Sequence, residues 1–295
     1  MKLGAVPGDD RVLSGIGLAV LGYSVFSIQD ATVKWLVQSL PVFEILFVRS
    51  LTIAVALALH AGPSRLAAIV RSPTRWALLA RSVLILLAWI SYYTAARSLP
   101  LAQLVTMYFA TPIFVVALSI FILGEQVGAF RWGAVLAGFA GVVIAANPGG
   151  STSLVPAGLT LFAAFCWAMT NILVRLISRV ETTRTQMLAG NATFALGSAL
   201  ALPIVWVPPD PFSLALMLML GVAGGAGQFL VFESFRFAPA SVVAPFEYVG
   251  LIFAFVWGFV IWRDVPRPEV FAGAGLILAS GLVLLMAERR RRRKA

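Results

Sequence analysis

Ten apolar segments dominate this chain, and short polar breaks separate them. A transmembrane α-helix needs about 20 consecutive apolar residues to cross the hydrocarbon core of a bilayer. No break exceeds about fourteen residues, which leaves no room for a large domain outside the membrane. The sequence therefore predicts an all-α polytopic membrane protein with ten transmembrane helices. The predicted segments are 12–33, 41–61, 76–96, 101–123, 130–147, 157–178, 186–206, 212–235, 241–262 and 270–287.

Composition argues against an ordinary soluble enzyme. Apolar residues make up 60% of the chain and charged residues only 12%, whereas soluble domains carry roughly 25% charged residues. A single cysteine, Cys166, and a single histidine, His60, exclude disulfide frameworks, zinc sites and Cys–His dyads. The sequence also contains no nucleotide-binding or hydrolase motif. We therefore expect no enzyme activity, no metal site and no cofactor.

The net charge of +10 raises the question of a nucleic-acid partner. Six of the 22 basic residues, however, form the run Arg289–Lys294 directly after the last apolar segment. A basic stretch in that position is typical of a cytoplasmic anchor on anionic lipid. We predict that residues 288–295 form such a tail on the bilayer and that the chain binds no nucleic acid.

The sequence contains an internal repeat. The stretch GLAVLGYSVFSIQDATVKWLV (17–37) aligns without gaps on GLTLFAAFCWAMTNILVRLIS (158–178), at an offset of 141 residues. The run Arg97–Pro100 returns as Arg236–Pro239 at an offset of 139, between the third and fourth spans of each half. A nearly constant offset over several spans indicates a duplication of the whole five-span unit.

Glycines in the last span of each half extend the repeat, because Gly133 and Gly141 match Gly273 and Gly281 at an offset of 140. A half with five spans, an odd number, ends on the opposite side of the membrane from where it began. The two halves must therefore cross the bilayer in opposite orientations, an arrangement typical of transporters. The predicted halves are 12–147 and 157–287.

The positions of lysine and arginine test this topology. With a cytoplasmic N-terminus, the inner segments carry 16 basic residues and the outer loops carry 4. Cytoplasmic loops of membrane proteins are enriched in lysine and arginine. We therefore predict that both termini lie in the cytoplasm and that the loop 147–156 lies outside.

The chain resembles the EamA-type members of the drug/metabolite transporter superfamily. The resemblance rests on the two five-span halves, the R-x-x-P joins, and the runs GAVLAGFAGVVI and GAGLILASGLVLL of the fifth and tenth spans. It implies ten helices around a pseudo-two-fold axis in the membrane plane. It also implies a central cavity between helices 1–4 and 6–9, with helices 5 and 10 at the periphery. The runs SIQDATVKWLV and PVFEILFVRS are similar to bacterial riboflavin-transporter-like members, and aromatic amino-acid exporters share the scaffold.

Polar and aromatic residues at helical spacing mark candidate cavity faces. Tyr23, Phe26 and Asp30 share one face of the first span, and lipid contact would leave their polar groups without partners. Such faces are expected to point inward, where rings and a few hydrogen-bonding groups suit a planar solute. The alternative interpretation is that these aromatic residues serve helix packing or form a belt at the membrane interface. The candidate residues are Tyr23, Phe26, Asp30, Trp89, Tyr93, Tyr108, Thr111, Trp167, Asn171 and Gln228.

Charged residues inside the apolar segments are costly in hydrocarbon and therefore informative. Arg81 is near the start of its span and is expected to reach the membrane surface. Arg49 and Glu247 are deeper, roughly 12 Å and 9 Å into the second and ninth spans at 1.5 Å per residue. Two interpretations stay open: a structural ion pair between the halves, or a Glu247 carboxylate that binds protons or substrate.

The sequence thus favours a secondary transporter in a bacterial inner membrane, which moves a small organic, aromatic or planar metabolite by alternating access at a central cavity. Riboflavin is the first substrate hypothesis, on the strength of the resemblance, and protons are a candidate coupling ion. An exporter of aromatic or other amino acids or of drugs is the alternative transporter. A structural membrane subunit without transport activity is the alternative of another class. Oligomeric state and transport direction stay open.

Overall fold

The computed structural model describes residues 9–61, 69, 72–123, 129–147, 154–177, 180–237 and 244–294. This part of the chain is helical and contains no strand. Its α-helices are α1 (Asp9–Leu36), α2 (Val42–Ala61), α3 (Arg75–Ala96), α4 (Leu101–Tyr108), α5 (Thr111–Leu123), α6 (Ala129–Ala146), α7 (Leu154–Ile177), α8 (Thr183–Ala199), α9 (Leu202–Val205), α10 (Pro211–Phe237), α11 (Tyr248–Trp262) and α12 (Pro268–Lys294). A 3₁₀ turn, Ala244–Glu247, precedes α11.

The long apolar helices make this a multi-pass membrane protein, as the hydropathy predicts. Several of their large side chains are strongly exposed, such as Phe121 at 84% and Leu59 at 81%, and such side chains suit contact with lipid. Six stretches are long and apolar enough to cross a membrane: Leu13–Leu36, Val42–Leu59, Arg75–Ala96, Leu101–Ile122, Leu154–Val174 and Pro211–Val231. Shorter apolar helices cover Trp132–Ala146, Tyr248–Trp262 and Pro268–Val283.

Three predicted segments differ from the prediction or lie partly outside the described part of the chain. The seventh predicted span, 186–206, corresponds to α8 and the short α9, and α8 is not among the stretches apolar enough to cross a membrane. The basic run Arg289–Lys294 continues α12, and its side chains lie outside the described part of the chain. Most of the predicted outer loop, residues 148–153, also lies outside it.

The fourth predicted span is broken into α4 and α5 at Phe109–Ala110. Pro112 has no backbone N–H to donate to the carbonyl of Tyr108, four residues earlier. The Thr111 hydroxyl donates to that carbonyl instead, at 2.8 Å. The break therefore has a local cause in the sequence, and it directs the Thr111 side chain to the backbone.

The main helix contacts are the same when the two halves of the chain are exchanged. Helix α1 packs on α10 as α3 packs on α7, while α2 packs on α8 and α6 on α12. Contacts of α5 with α7 correspond to contacts of α11 with α1. The central helices are thus shared between the halves, and α6 and α12 pair at the side.

Glycines allow the closest of these contacts. On α10, a Cβ at Gly221 would meet the Thr52 side chain at 2.6 Å, and one at Gly227 would meet the Phe26 ring at 3.0 Å. At the α6–α12 crossing, a Cβ at Gly141 would meet the Gly273 carbonyl oxygen at 2.7 Å. The small residues at 221–227 therefore let α10 pack tightly on α1 and α2.

Candidate functional site

A central cavity of about 190 Å³, partly open to its surroundings, lies between helices of both halves. Helices α1, α2 and α3 of the first half and α7, α8 and α10 of the second contribute its walls. Most of the cavity lies toward the end of the bundle where α3 and α8 begin and α7 and α10 end. Its lining consists of Phe26, Arg49, Arg81, Ile85, Trp89, Trp167, Thr170, Asn171, Val174, Gln186, Met187, Gly190, Asn191, Phe194, Gly224, Gln228 and Val231.

The structure brings six of the predicted site residues together in this cavity. They come from five helices, so only the folded chain makes them neighbours. Aromatic rings and side-chain amides alternate among them, a lining that suits a solute with both a flat apolar part and polar groups. These residues are Phe26, Arg49, Trp89, Trp167, Asn171 and Gln228.

Three predicted residues pack behind the lining. Tyr93 is fully buried, with its ring 5.3 Å from the Trp89 ring in an edge-to-face contact. Tyr108 packs in the same manner on Tyr92, at 5.0 Å. Tyr23 lies on the face of α1 that carries Phe26, and its ring is 6.5 Å from that neighbour. These rings therefore support the cavity wall instead of forming it.

The remaining predicted residues lie away from the lining for different reasons. Asp30 is one turn beyond Phe26 on α1, past the cavity. The hydroxyl of Thr111 is occupied by the backbone at the α4–α5 break. Glu247 ends the 3₁₀ turn before α11, and its side chain is exposed.

Arg49 does not meet Glu247, so the structure does not contain the ion pair that the sequence left open. Its guanidinium lies 4.7 Å from the centroid of the Trp89 ring, and its Nη2 donates to Gln29 Oε1 at 3.4 Å. Gly224 is the third close neighbour, because a Cβ there would lie 3.0 Å from Arg49 Nη2. An aromatic face and an amide, both inside the bundle, therefore hold the cation that one of the two open interpretations paired with Glu247.

Arg81 is a lining residue that the sequence reasoning placed elsewhere. It does not reach the membrane surface, since its side chain is only 6% exposed and its Nη1 donates to the Gln186 carbonyl oxygen at 3.3 Å. The remaining missed polar residues are Thr170, Gln186 and Asn191. The polar composition of α8, which is unusual for a membrane-crossing segment, is the signal in the sequence that could have found this wall.

The opposite end of the bundle is densely packed, and we call it the sealed end. There α1 and α3 end while α2, α4 and α10 begin. Its core includes side chains with less than 2% exposure, among them Leu36, Ile45 and Leu101. Two cations close this end, because Lys34 Nζ donates to the Leu99 carbonyl at 2.7 Å and Arg97 Nη2 to the Leu40 carbonyl at 2.8 Å. The cavity is therefore closed on this side.

A carboxylate holds a loop of the other half at each end. At the sealed end, Glu44 Oε2 accepts from the backbone N–H of Val207 at 3.0 Å. At the cavity end, the Glu181 carboxylate accepts from the hydroxyls of Ser72 and Thr74, the latter at 3.0 Å. Glu44 follows the first helix of its half and Glu181 follows the first helix of the other, so the two contacts are counterparts.

The comparisons with known proteins give the family. The EamA-like transporter family matches residues 13–147 and again residues 155–286, which is nearly the whole chain. The chain belongs to the EamA-like transporter family. A crystal structure of a protein that is 20% identical has the same fold, with a TM-score of 0.64 over 95% of this chain and 98% of that one.

Three curated relatives cover almost the full length. The pseudopaline exporter CntI of Pseudomonas aeruginosa is 29% identical over 93% of this chain and 97% of its own. An S-adenosylmethionine uptake transporter of Rickettsia prowazekii is 25% identical over 94% of both chains. A riboflavin transporter of Rhizobium johnstonii is 26% identical over 96% of this chain and 95% of its own. These family members are transporters of small molecules that differ widely in chemistry.

Proposed function

We propose that this protein is a secondary transporter that carries a small organic metabolite with an aromatic or planar part, and that the metabolite binds in the central cavity. The observation that carries the proposal is a cavity of about 190 Å³ with walls from both halves, aromatic and amide lining, and a closed end opposite its main volume. A site accessible from one side at a time is what alternating access requires.

In this proposal, alternating access opens the sealed end and closes the cavity end. The exchange-symmetric helix contacts support it, because the same pairs form when the halves are swapped. The paired contacts of Glu44 and Glu181 support it as well, since at each end a carboxylate accepts a hydrogen bond from a loop of the other half. Opening the sealed end requires the hydrogen bonds of Lys34 and Arg97 to break.

We place the protein in a bacterial inner membrane with ten spans in two inverted halves and both termini in the cytoplasm. The excess of basic residues in the inner segments, 16 against 4, supports this orientation. Cysteine labelling tests it in a variant that lacks Cys166 and carries a cysteine at position 151. A membrane-impermeant thiol reagent is expected to label intact cells; labelling only after lysis contradicts the orientation.

Riboflavin is the first substrate to test, because a relative of this length and identity is named a riboflavin transporter. Export is the second candidate function, because the 29% identical relative is named an exporter. Competition with a panel of flavins, aromatic amino acids and other metabolites separates these substrates. Reconstituted vesicles loaded or surrounded with the winning compound then show the direction.

Protons are the proposed coupling ion, and Glu247 is their proposed carrier. Its position in a short 3₁₀ turn before α11 places a carboxylate beside a backbone irregularity, within electrostatic range of Tyr23, Tyr108 and Tyr248. Discontinuous helices supply coupling sites in other secondary transporters. Net accumulation driven by a pH gradient, measured for the native protein and for Glu247→Gln, tests the role.

A further inference from the structure

We propose that the substrate carries an anionic group, a carboxylate or a phosphate, and that Arg49 and Arg81 bind it in the central cavity. The inference rests on the proposed function insofar as the cavity is the substrate site, and it goes further by naming the chemistry of the substrate. It assigns a positive, anion-selective lining to a cavity whose aromatic rings alone would suit a neutral planar compound.

The two guanidinium groups line one cavity from different helices. Arg49 comes from α2 and Arg81 from α3, and each side chain is only 6% exposed. Arg81 lies two helical turns before Trp89 on α3, and Trp89 carries the Arg49 guanidinium on its face. The cations therefore stand along one wall, Arg81 toward the cavity end and Arg49 toward the sealed end.

Each of the two guanidinium groups has more N–H donors than hydrogen bonds. A guanidinium has five N–H donors, but Arg49 makes one hydrogen bond, to Gln29, and Arg81 makes one, to the Gln186 carbonyl, among the residues that the structure describes. The Nε atoms of both side chains are buried without a hydrogen-bond partner. The hydroxyl of Thr170, also in the lining, is buried and unpartnered in the same way. Unsatisfied buried donors are rare and costly, so a ligand with acceptor oxygens fits them.

The described lining of the cavity carries no negative charge, because none of the residues that the structure assigns to it is an aspartate or glutamate. Asp30 is within electrostatic range of Arg49, but it lies outside the lining and forms no ion pair with Arg49 in the described part of the chain. Among the residues that the structure describes, no carboxylate forms an ion pair with Arg81, and the Glu181 carboxylate accepts from Ser72 and Thr74. A buried cation without a counter-charge is destabilising, and an anionic solute would supply the charge.

Side-chain amides complete the recognition of an oxyanion or of polar groups attached to it. Asn171, Asn191 and Gln228 reach the cavity from α7, α8 and α10. The Asn191 amide donates to the Met187 carbonyl at 2.9 Å, which orients it and leaves its amide oxygen and a second N–H for a ligand. The rings of Trp89, Trp167 and Phe26 provide the flat surface beside these groups.

Matched ligand pairs that differ in one anionic group test the inference on the full-length purified protein. Indole-3-acetate against indole-3-acetamide tests the carboxylate, and flavin mononucleotide against riboflavin tests the phosphate. Equilibrium binding is measured for each compound in lipid nanodiscs at fixed ionic strength. We expect the anionic member of at least one pair to bind roughly tenfold more tightly, the factor that a hydrogen bond to a charged group contributes.

Charge-removing variants then locate the effect. In Arg81→Gln and in Arg49→Gln, the preference for the anion is expected to fall to about twofold or less, while the neutral member keeps its affinity. Arg75→Gln is the matched control, because Arg75 begins the same helix, is exposed and contacts only Trp76 among the rings of the described residues. Arg81→Lys keeps the charge and should retain part of the preference even where the glutamine variant folds poorly.

Equal affinity for both members of each pair, or no saturable binding of either anion, overturns the inference. An unchanged preference in both arginine variants overturns the assignment to these residues. Flux is measured separately in proteoliposomes, so the two proposals fail in different ways. Anion-selective binding without any flux contradicts the transport function but supports the site. Flux that is limited to neutral compounds supports transport but contradicts the anion site.

Discussion

The guanidinium of Arg49 lies over the ring of Trp89, 4.7 Å from its centroid, inside the cavity that both halves of the protein share. This cation–π contact joins α2 to α3 and presents a charge and an aromatic face at the same place. A contact of this kind is worth roughly 1–2 kcal/mol where water is excluded. Trp89 thus serves two purposes, since it offers a stacking surface and it positions the cation.

Removing the cavity rings should weaken substrate binding in a graded order. We expect Trp167→Ala to raise the half-saturation concentration for transport several-fold, because a stacking contact contributes about 1 kcal/mol beyond buried area. Trp89→Ala should raise it more, since that change also releases Arg49. Trp76→Ala is the control, because Trp76 is 71% exposed at the surface. Equal kinetics in all three variants would show that the two cavity rings serve packing alone.

The Glu44 contact should hold the sealed end closed. We expect Glu44→Ala to speed hydrogen exchange of the Val207 amide by about tenfold, because that amide loses its carboxylate acceptor at the start of α2. Asp210→Ala is the matched control: Asp210 caps the start of α10 by accepting from the backbone of Phe212 and Ser213. Its loss should affect the Ser213 amide and leave Val207 unchanged. Slow Val207 exchange in Glu44→Ala would remove this carboxylate from the closure.

Two glycines on one helix should respond in opposite ways to the same substitution. A Cβ at Gly141 would meet the Gly273 carbonyl at 2.7 Å, so Gly141→Ala should destabilise the protein by about 1–3 kcal/mol. A Cβ at Gly133 would meet nothing within 4 Å, so Gly133→Ala should leave stability unchanged or raise it by up to about 1 kcal/mol through helix propensity. Thermal unfolding in detergent, followed by tryptophan fluorescence, measures both. Equal melting temperatures would mean that α6 and α12 do not cross at Gly141.

Glu247 should be needed for proton-driven accumulation but not for exchange. We expect Glu247→Gln to abolish uptake driven by a pH gradient while exchange of internal for external substrate continues, because exchange moves no net proton. Arg49 is held by Trp89 and Gln29, so adding Arg49→Gln to Glu247→Gln should not restore folded yield. Restored yield in the double variant would indicate an ion pair after all. Full pH-driven uptake by Glu247→Gln would exclude the residue from coupling.

The sequence predicted the helices well because a helix that crosses a membrane must be long and apolar, and both properties can be read from the sequence. It predicted six of the seventeen described lining residues for a related reason: helical spacing identifies which face of α1 carries Phe26. The same spacing cannot say how far along the helix a cavity extends, so Tyr23 and Asp30, on the same face, lie beyond the lining.

The residues that escaped prediction depend on partners from distant parts of the chain. The position of Arg81 near a helix end suggested contact with the surface, but α8 packs against α3 there and buries the guanidinium beside the Gln186 carbonyl. The partners of Arg49, Trp89 and Gln29, were not identified because an aromatic face and an amide are weaker signals in a sequence than a carboxylate. Helical spacing grouped Tyr93 with Trp89 as cavity residues, but the Tyr93 ring packs behind the Trp89 ring.

The central claim, that this chain alone moves a solute through the cavity between its halves, is tested most directly by flux into proteoliposomes that contain only the purified protein. Labelled riboflavin, flavin mononucleotide and aromatic amino acids are offered in turn to the native protein, to Arg81→Gln and to the control Arg75→Gln. The account predicts saturable flux of at least one compound by the native protein and the control, and a several-fold loss in Arg81→Gln. Folded native protein that carries no compound of the panel above the rate of empty liposomes would contradict it and favour a structural membrane subunit.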